Sequence, residues 1–120
     1  MISSQVIKTS IEELHGITKV DLCVFDLDGM AVASTFDAKL VMTGIVTDFA
    51  ASPADSQVIG ADHLLKIRDE GELVYILIAR GTSDEAYMIG KIAVCQIQNL
   101  IVAYKERFDR NNFFQNLLLD

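Results

Sequence analysis

The sequence predicts an α+β fold: a single domain with an antiparallel five-stranded sheet, flanking helices and a long C-terminal helix. Three observations lead there. Apolar residues recur at helical spacing near the start, near residue 45 and again towards the end of the chain. Between these stretches lie segments rich in β-branched and aromatic residues, and short glycine-containing turns separate them. With 51% hydrophobic and 22% charged residues in 120, the chain can bury a core of its own.

Each element has its own signature. Residues 3–15, SSQVIKTSIEELH, carry Val6, Ile7, Ile11 and Leu14 on one helical face, with Ser3 or Ser4 to cap and Gly16 to close. VDLCVF and MAVAST are strand-like, and the Asp28-Gly29 pair between them signals a two-residue hairpin with both central residues at positive φ. A second helix is expected over 38–50, where Leu40, Val41, Ile45, Val46 and Phe49 share a face and Asp37 can cap. Ser52-Pro53-Ala54-Asp55 predicts a short helical turn before a loop ending near Gly60, or else the start of a longer helix running to Arg68. HLLKIR (63–68) and ELVYILIAR (72–80) form a hairpin through Asp69-Glu70-Gly71. AYMIGKIAV (86–94) reads as the fifth strand, with Gly90 marking a close approach of backbone or ligand, although Thr82-x-x-Glu85 could also cap a helix there.

From about Val94 the apolar positions Val94, Ile97, Ile101, Tyr104 and Phe108 follow steps of three and four, the seam of a helix that pairs with another helix. This seam is the expected homodimer interface. The run FFQNLLLD then reaches the last residue without a stop signal. The expected organisation is therefore a dimerising domain over 1–108, with 109–120 starting a linker helix into a longer protein; the resemblance given below implies that the domain is sensory and the linker leads to an output region.

Charge and cysteine usage narrow the function classes. Seventeen acidic against ten basic residues give a net charge of −7, and no Lys/Arg cluster is long enough to follow a phosphate backbone, so this chain alone is not expected to bind nucleic acid. Cys23 and Cys95 sit among apolar residues without metal-ligand spacing, so no metal or cofactor is expected. No leader-like start and no continuous apolar run of about 18 residues occurs, which points to the cytoplasm.

The stretch VFDLDGM (24–30) resembles the opening motif of haloacid dehalogenase phosphotransferases, with Asp26 as nucleophile and Asp28 as acid/base. The family's usual threonine after the glycine is Met30 here, and MAVAST turns straight back as a partner strand. A structural turn accounts for both aspartates, no nucleophile stands beside a base elsewhere, and the chain is read as a non-enzyme.

The order helix, hairpin, helix, strands and long helix is that of PAS/GAF-like and roadblock-like domains. Three segments, VDLCVFDLDGMAVAST, ASPADSQ and AYMIGKIAVCQIQNLIVAYKERFDRNNFFQNLLLD, resemble the N-terminal region of bacterial transcriptional regulators of the sugar-diacid or purine-catabolism type (CdaR/PucR-like). The resemblance implies a homodimeric, effector-sensing module that reaches DNA only through a helix-turn-helix region outside these residues. A different reading of the same element order is a roadblock-type dimeric scaffold that binds a small GTPase.

An anionic effector requires cations converging on one concave face, because a buried carboxylate must be paired. The candidates are His63, Lys66, Arg68, Arg80 and Lys91, with Tyr75 as a wall residue. Strand alternation already sets His63 on the face opposite Lys66 and Arg68.

Overall fold

The structure, a computed structural model, describes residues 2–41 and 43–119; the side chains of 40 and 108–119 lie outside the description. Its elements in chain order are α1 (Ser4–Thr18), β1 (Asp21–Phe25), β2 (Ala31–Ser34), a 3-10 turn (Ala38–Leu40), α2 (Thr43–Ala51), β3 (Ser56–Ile59), β4 (Asp62–Asp69), β5 (Glu72–Arg80) and α3 (Asp84–Leu119). The five strands are antiparallel in the order β2-β1-β5-β4-β3. This is the expected α+β architecture with a long C-terminal helix.

Three layers follow from strand alternation. On one face Leu22, Val24, Leu65, Ile67, Leu77 and Ala79 meet Ile7 and Ile11 of α1 and Ala93, Ile97 and Ile101 of α3. On the other, Cys23, Phe25, Leu64, Ile76 and Ile78 meet Val41 and α2's Val46 and Phe49. Central strands β1, β4 and β5 are buried on both faces and so read as near-continuous apolar runs.

Local chemistry explains the element ends, including three corrections. Ser3 caps α1 as expected, its Oγ accepting from Val6 N at 3.3 Å, but the helix runs through Gly16 and stops at Lys19, whose φ of 63° lets its N–H donate to the His15 carbonyl. Glycine permits a helix end without compelling one. The β1–β2 connection is not a two-residue turn. Gly29 alone is at positive φ, its N–H donates to Asp26 O at 3.1 Å, and Asp26 Oδ1 accepts from the amides of Asp28 and Met30, both at 2.9 Å. The two-residue turn with both positions at positive φ sits instead at Glu70-Gly71, φ 52° and 84°, where Asp69 pairs with Glu72.

The fifth strand is also reassigned. Residues 86–94, expected as strand, are the first turns of α3, and the fifth strand is β3. Asp84 and Glu85 place negative charge at the helix's first turn, and Ala86 N–H donates to Ser83 O. Gly90 does mark a close approach, of helix to sheet: a Cβ there would lie 2.9 Å from Leu65 Cδ1 and 3.1 Å from Ala79 Cβ. The helical turn expected at 52–55 is absent because Ser52 closes α2, its N–H and Oγ both donating to Phe49 O. Pro53 follows, and Asp55 O then accepts from Lys66 N, which leads into the pairing of β3 with β4.

No break separates 1–108 from 109–119, since α3 is continuous over 36 residues. Its segment Asp84–Arg107 is long and apolar enough to cross a membrane by composition. Here its inner face lies against the sheet.

Candidate functional site

The residues expected to hold an effector do not converge. Lys66 is buried on the α2 side, its Nζ donating to the Ser52 carbonyl and lying 5.1 Å from the Phe49 ring centroid. Arg68 Nη2 donates to Asp55 at 3.2 Å and its Nη1 to Gly71 O. Arg80 forks onto Asp62, and that hydrogen bond holds the guanidinium above its ordinary pKa. On the opposite face His63 bonds the Gly81 carbonyl through Nε2 at 3.0 Å and tilts against Tyr87, while Lys91 lies over that same Tyr87 ring. Tyr75 is buried beneath α3 near Ile101; burial, and then the charge of Asp26, push its phenol upward.

Each candidate cation except Lys91 therefore has an oxygen partner within the chain. The strand alternation that separates His63 from Lys66 is as expected from sequence, and these residues do not line one pocket. Among the described residues no cluster of three or more His, Cys, Asp or Glu side chains could hold a metal ion. Asp26, the residue a phosphotransferase would use as nucleophile, spends Oδ1 on two turn amides.

The expected dimer seam is likewise redirected. Ile97 is fully buried and Ile101 nearly so, both in the core beneath α3, with Val94 packed against the same cluster. Tyr104 is half-exposed beside Lys105 and Ile2, and Phe108 lies outside the described side chains.

Two surfaces went unread in the sequence. One is β3, an edge strand whose Ser56, Gln57 and Val58 are exposed and which holds neither proline nor lysine, the usual guards of an open edge. Its signal was SQVI ahead of the tight Gly60-Ala61 turn. The other is the outward face of α3, where Met88, Ile92 and Val102 are exposed. A second step pattern of four and three runs through those residues, offset from the buried one.

Layering and strand order define this as a roadblock-like domain: α1 and α3 on one side of a 2-1-5-4-3 sheet, α2 on the other. Among solved structures it resembles MglB of Myxococcus xanthus, with a TM-score of 0.55 at 11% identity over 86% of this chain and 94% of that one. No family model matches the sequence, and neither does any curated protein. The likeness is to a roadblock-type protein rather than to a PAS-like sensor or a regulator of transcription. It corrects the expectation of a sugar-diacid-sensing module of transcription regulation.

Proposed function

We propose that this chain is a roadblock-type dimeric scaffold of the cytoplasm that docks a small GTPase, acting as a non-catalytic partner. The observation that carries this reading is the fold likeness to MglB over nearly all of both chains. Two features of the chain support it. Lys66, Arg68 and Arg80 are each bonded to oxygens within the chain, which leaves little chemistry for a buried anionic ligand and favours recognition by surface. The unguarded β3 edge offers a second copy a strand to pair with, so two sheets would join into one across a twofold axis.

The test uses the purified chain and a panel of Ras-like GTPases, each loaded with GDP and with a non-hydrolysable GTP analogue. Calorimetric binding to at least one nucleotide state, with a stoichiometry of two chains per GTPase or two per pair of GTPases, is the expected result. Absence of binding across the panel, with the chain shown to be folded, would overturn the reading. Dimerisation through the edge is checked separately: Val58→Lys should halve the mass seen in sedimentation.

A further inference from the structure

Strand alternation breaks at one point in β5, and a cavity lies there. Tyr75 pairs with Ile67 and Leu73 with Arg68, so Val74 is an extra residue between them, a β-bulge. Val74 and Tyr75, although adjacent, therefore both pack on the face beneath α1 and α3. The Arg68 N–H beside the bulge donates to Gln98 Oε1 of α3 at 2.9 Å, so the irregularity is held by a helix as well as by the strands. With Ile2 and Ile101 the two side chains line a cavity of about 230 Å³, and the Asp69–Lys105 ion pair completes its wall.

The polar atom that matters is the Tyr75 hydroxyl. Tyr75 is 5% exposed, and its oxygen has no hydrogen-bond partner among the described residues. It is not one of the atoms sealed from solvent without a partner, which are Ser10 Oγ and His63 Nδ1, so it opens onto the cavity that its ring lines. Burial, and then the charge of Asp26, hold the phenol above its ordinary pKa of 10.0, so at neutral pH it is a free donor. The chemistry of the walls defines what fits. Aliphatic and aromatic side chains suit an apolar body, and the volume exceeds the ~150 Å³ that suffices for a benzene ring. The free donor calls for an acceptor on that body. Charge of either sign is disfavoured. Asp69 accepts from Lys105 Nζ through both oxygens at 3.2 Å and Glu70 stands 3.4 Å from the same nitrogen, so an anion meets two carboxylates against one ammonium. A cation finds the less exposed of those carboxylates, Asp69, already paired. Arg107 lines a neighbouring groove with Val6 and Leu100.

We propose that this cavity binds a small uncharged ring compound bearing one hydrogen-bond acceptor, to which the Tyr75 hydroxyl donates. Of the residues expected from the sequence to hold an effector, Tyr75 alone lines it. The site does not depend on the GTPase reading or on the β3 edge. Its walls come from the first residues of the chain, from β5 and from α3, so an occupant bridges three segments and stabilises the folded chain by mass action.

The deciding experiment is an amide NMR titration of the full chain with acetophenone, whose carbonyl supplies the acceptor, and with ethylbenzene, which lacks it. Benzoate and benzylamine serve as the charged analogues. Acetophenone should shift the amides of Ile2, Val74 and Ile101 saturably and bind about five- to tenfold more tightly than ethylbenzene. In Tyr75→Phe, which keeps the ring and removes the O–H, that advantage should vanish while ethylbenzene binds as before. Val74→Trp, which fills the cavity from the bulge, should abolish binding of both, and thermal melts establish that each variant is folded. The proposal is overturned if acetophenone binds folded Tyr75→Phe as it binds the wild type, or if benzoate or benzylamine binds more tightly than acetophenone. It is equally overturned if acetophenone produces no saturable shift at those three amides in the wild type, or shows no advantage there over ethylbenzene.

Discussion

Arg80 and Asp62 face each other across β5 and β4 and form a two-pronged ion pair, Nε to Oδ1 at 2.7 Å and Nη2 to Oδ2 at 3.1 Å. Their side chains are 26% and 19% exposed, and the guanidinium also stacks 4.5 Å from the Phe36 ring centroid. A fork-to-fork pair of this kind fixes cross-strand register as well as charge. It ties the end of the central hairpin to the segment after β2.

Replacing Asp62 with Ala leaves the guanidinium on its aromatic shelf with only the weaker influence of Asp21 on β1 as counter-charge. Charge-assisted hydrogen bonds contribute about 1.5–3 kcal/mol, and partial exposure reduces that, so Asp62→Ala should cost about 1–2 kcal/mol in urea unfolding. A double-mutant cycle with Arg80→Met would recover most of the loss as coupling. A cycle energy near zero would mean that the pair is held by the fold rather than contributing to it.

Two glycines in helices should respond in opposite directions. Gly16 lies inside α1 with open space where a Cβ would go, so Gly16→Ala should raise stability by about 0.5–1 kcal/mol through reduced chain entropy. Gly90 lies against Leu65 and Ala79, so Gly90→Leu overpacks the helix–sheet contact and should cost about 2 kcal/mol or more. Thermal melts of both variants decide the matter; equal shifts would refute the tight seating of α3 on β4 and β5.

At the β4–β5 turn, Glu70 holds φ at 52°, a conformation costly for most side chains. Asparagine tolerates that region better, so Glu70→Asn should stabilise the chain by about 0.5 kcal/mol, within the range found for turn residues. The substitution removes the ion pair between Lys105 Nζ and Glu70, 3.4 Å long and exposed on the Glu70 side, which contributes little. A lower melting temperature for Glu70→Asn would show that the ion pair outweighs the turn.

These sites also show which parts of the fold were legible. The Ser3 cap, β1, β2, β4, β5 and the core of α2 follow from patterns that local chemistry enforces, and they appear where periodicity places them. Residues 86–94 could be read at two periods, and Gly90 looked like a strand interruption because its reason, the proximity of Leu65 and Ala79, is tertiary. β3 is four residues long with three exposed, too short for alternation to register. The effector residues failed for a different cause. Cations were counted along the chain, but their partners Asp62, Asp55 and Ser52 come from other elements, and only the fold brings those together. The apolar stripe of α3 was found in one register while the same helix carries a second, and sequence alone does not say which of them faces the sheet.

The two cysteines give a test that reads burial and pH together. Cys23 is fully buried in β1, and burial pushes its thiol above the ordinary value of 9.0, with the hydrogen bond to Ser34 and the charge of Arg80 drawing it partly back. Cys95 is exposed on α3. At sub-micromolar chain concentration, where self-association is minimal, a thiol reagent should label Cys95 quickly and Cys23 only at the rate of unfolding. For an acid whose folded pKa is raised, the unfolded chain loses the proton first. The stabilising contribution is therefore complete below pH 9.0 and declines as pH rises from there towards the folded pKa. Tyr75, raised in the same direction from 10.0, extends the decline to higher pH. Urea midpoints should accordingly fall between about pH 8 and pH 10.5, and Cys23→Ala should flatten the first part of that fall while lowering stability at about pH 8 through the cavity it leaves. Equal labelling rates for the two thiols, or an unchanged pH profile in Cys23→Ala, would contradict the placement of Cys23 in the core between β1 and α2.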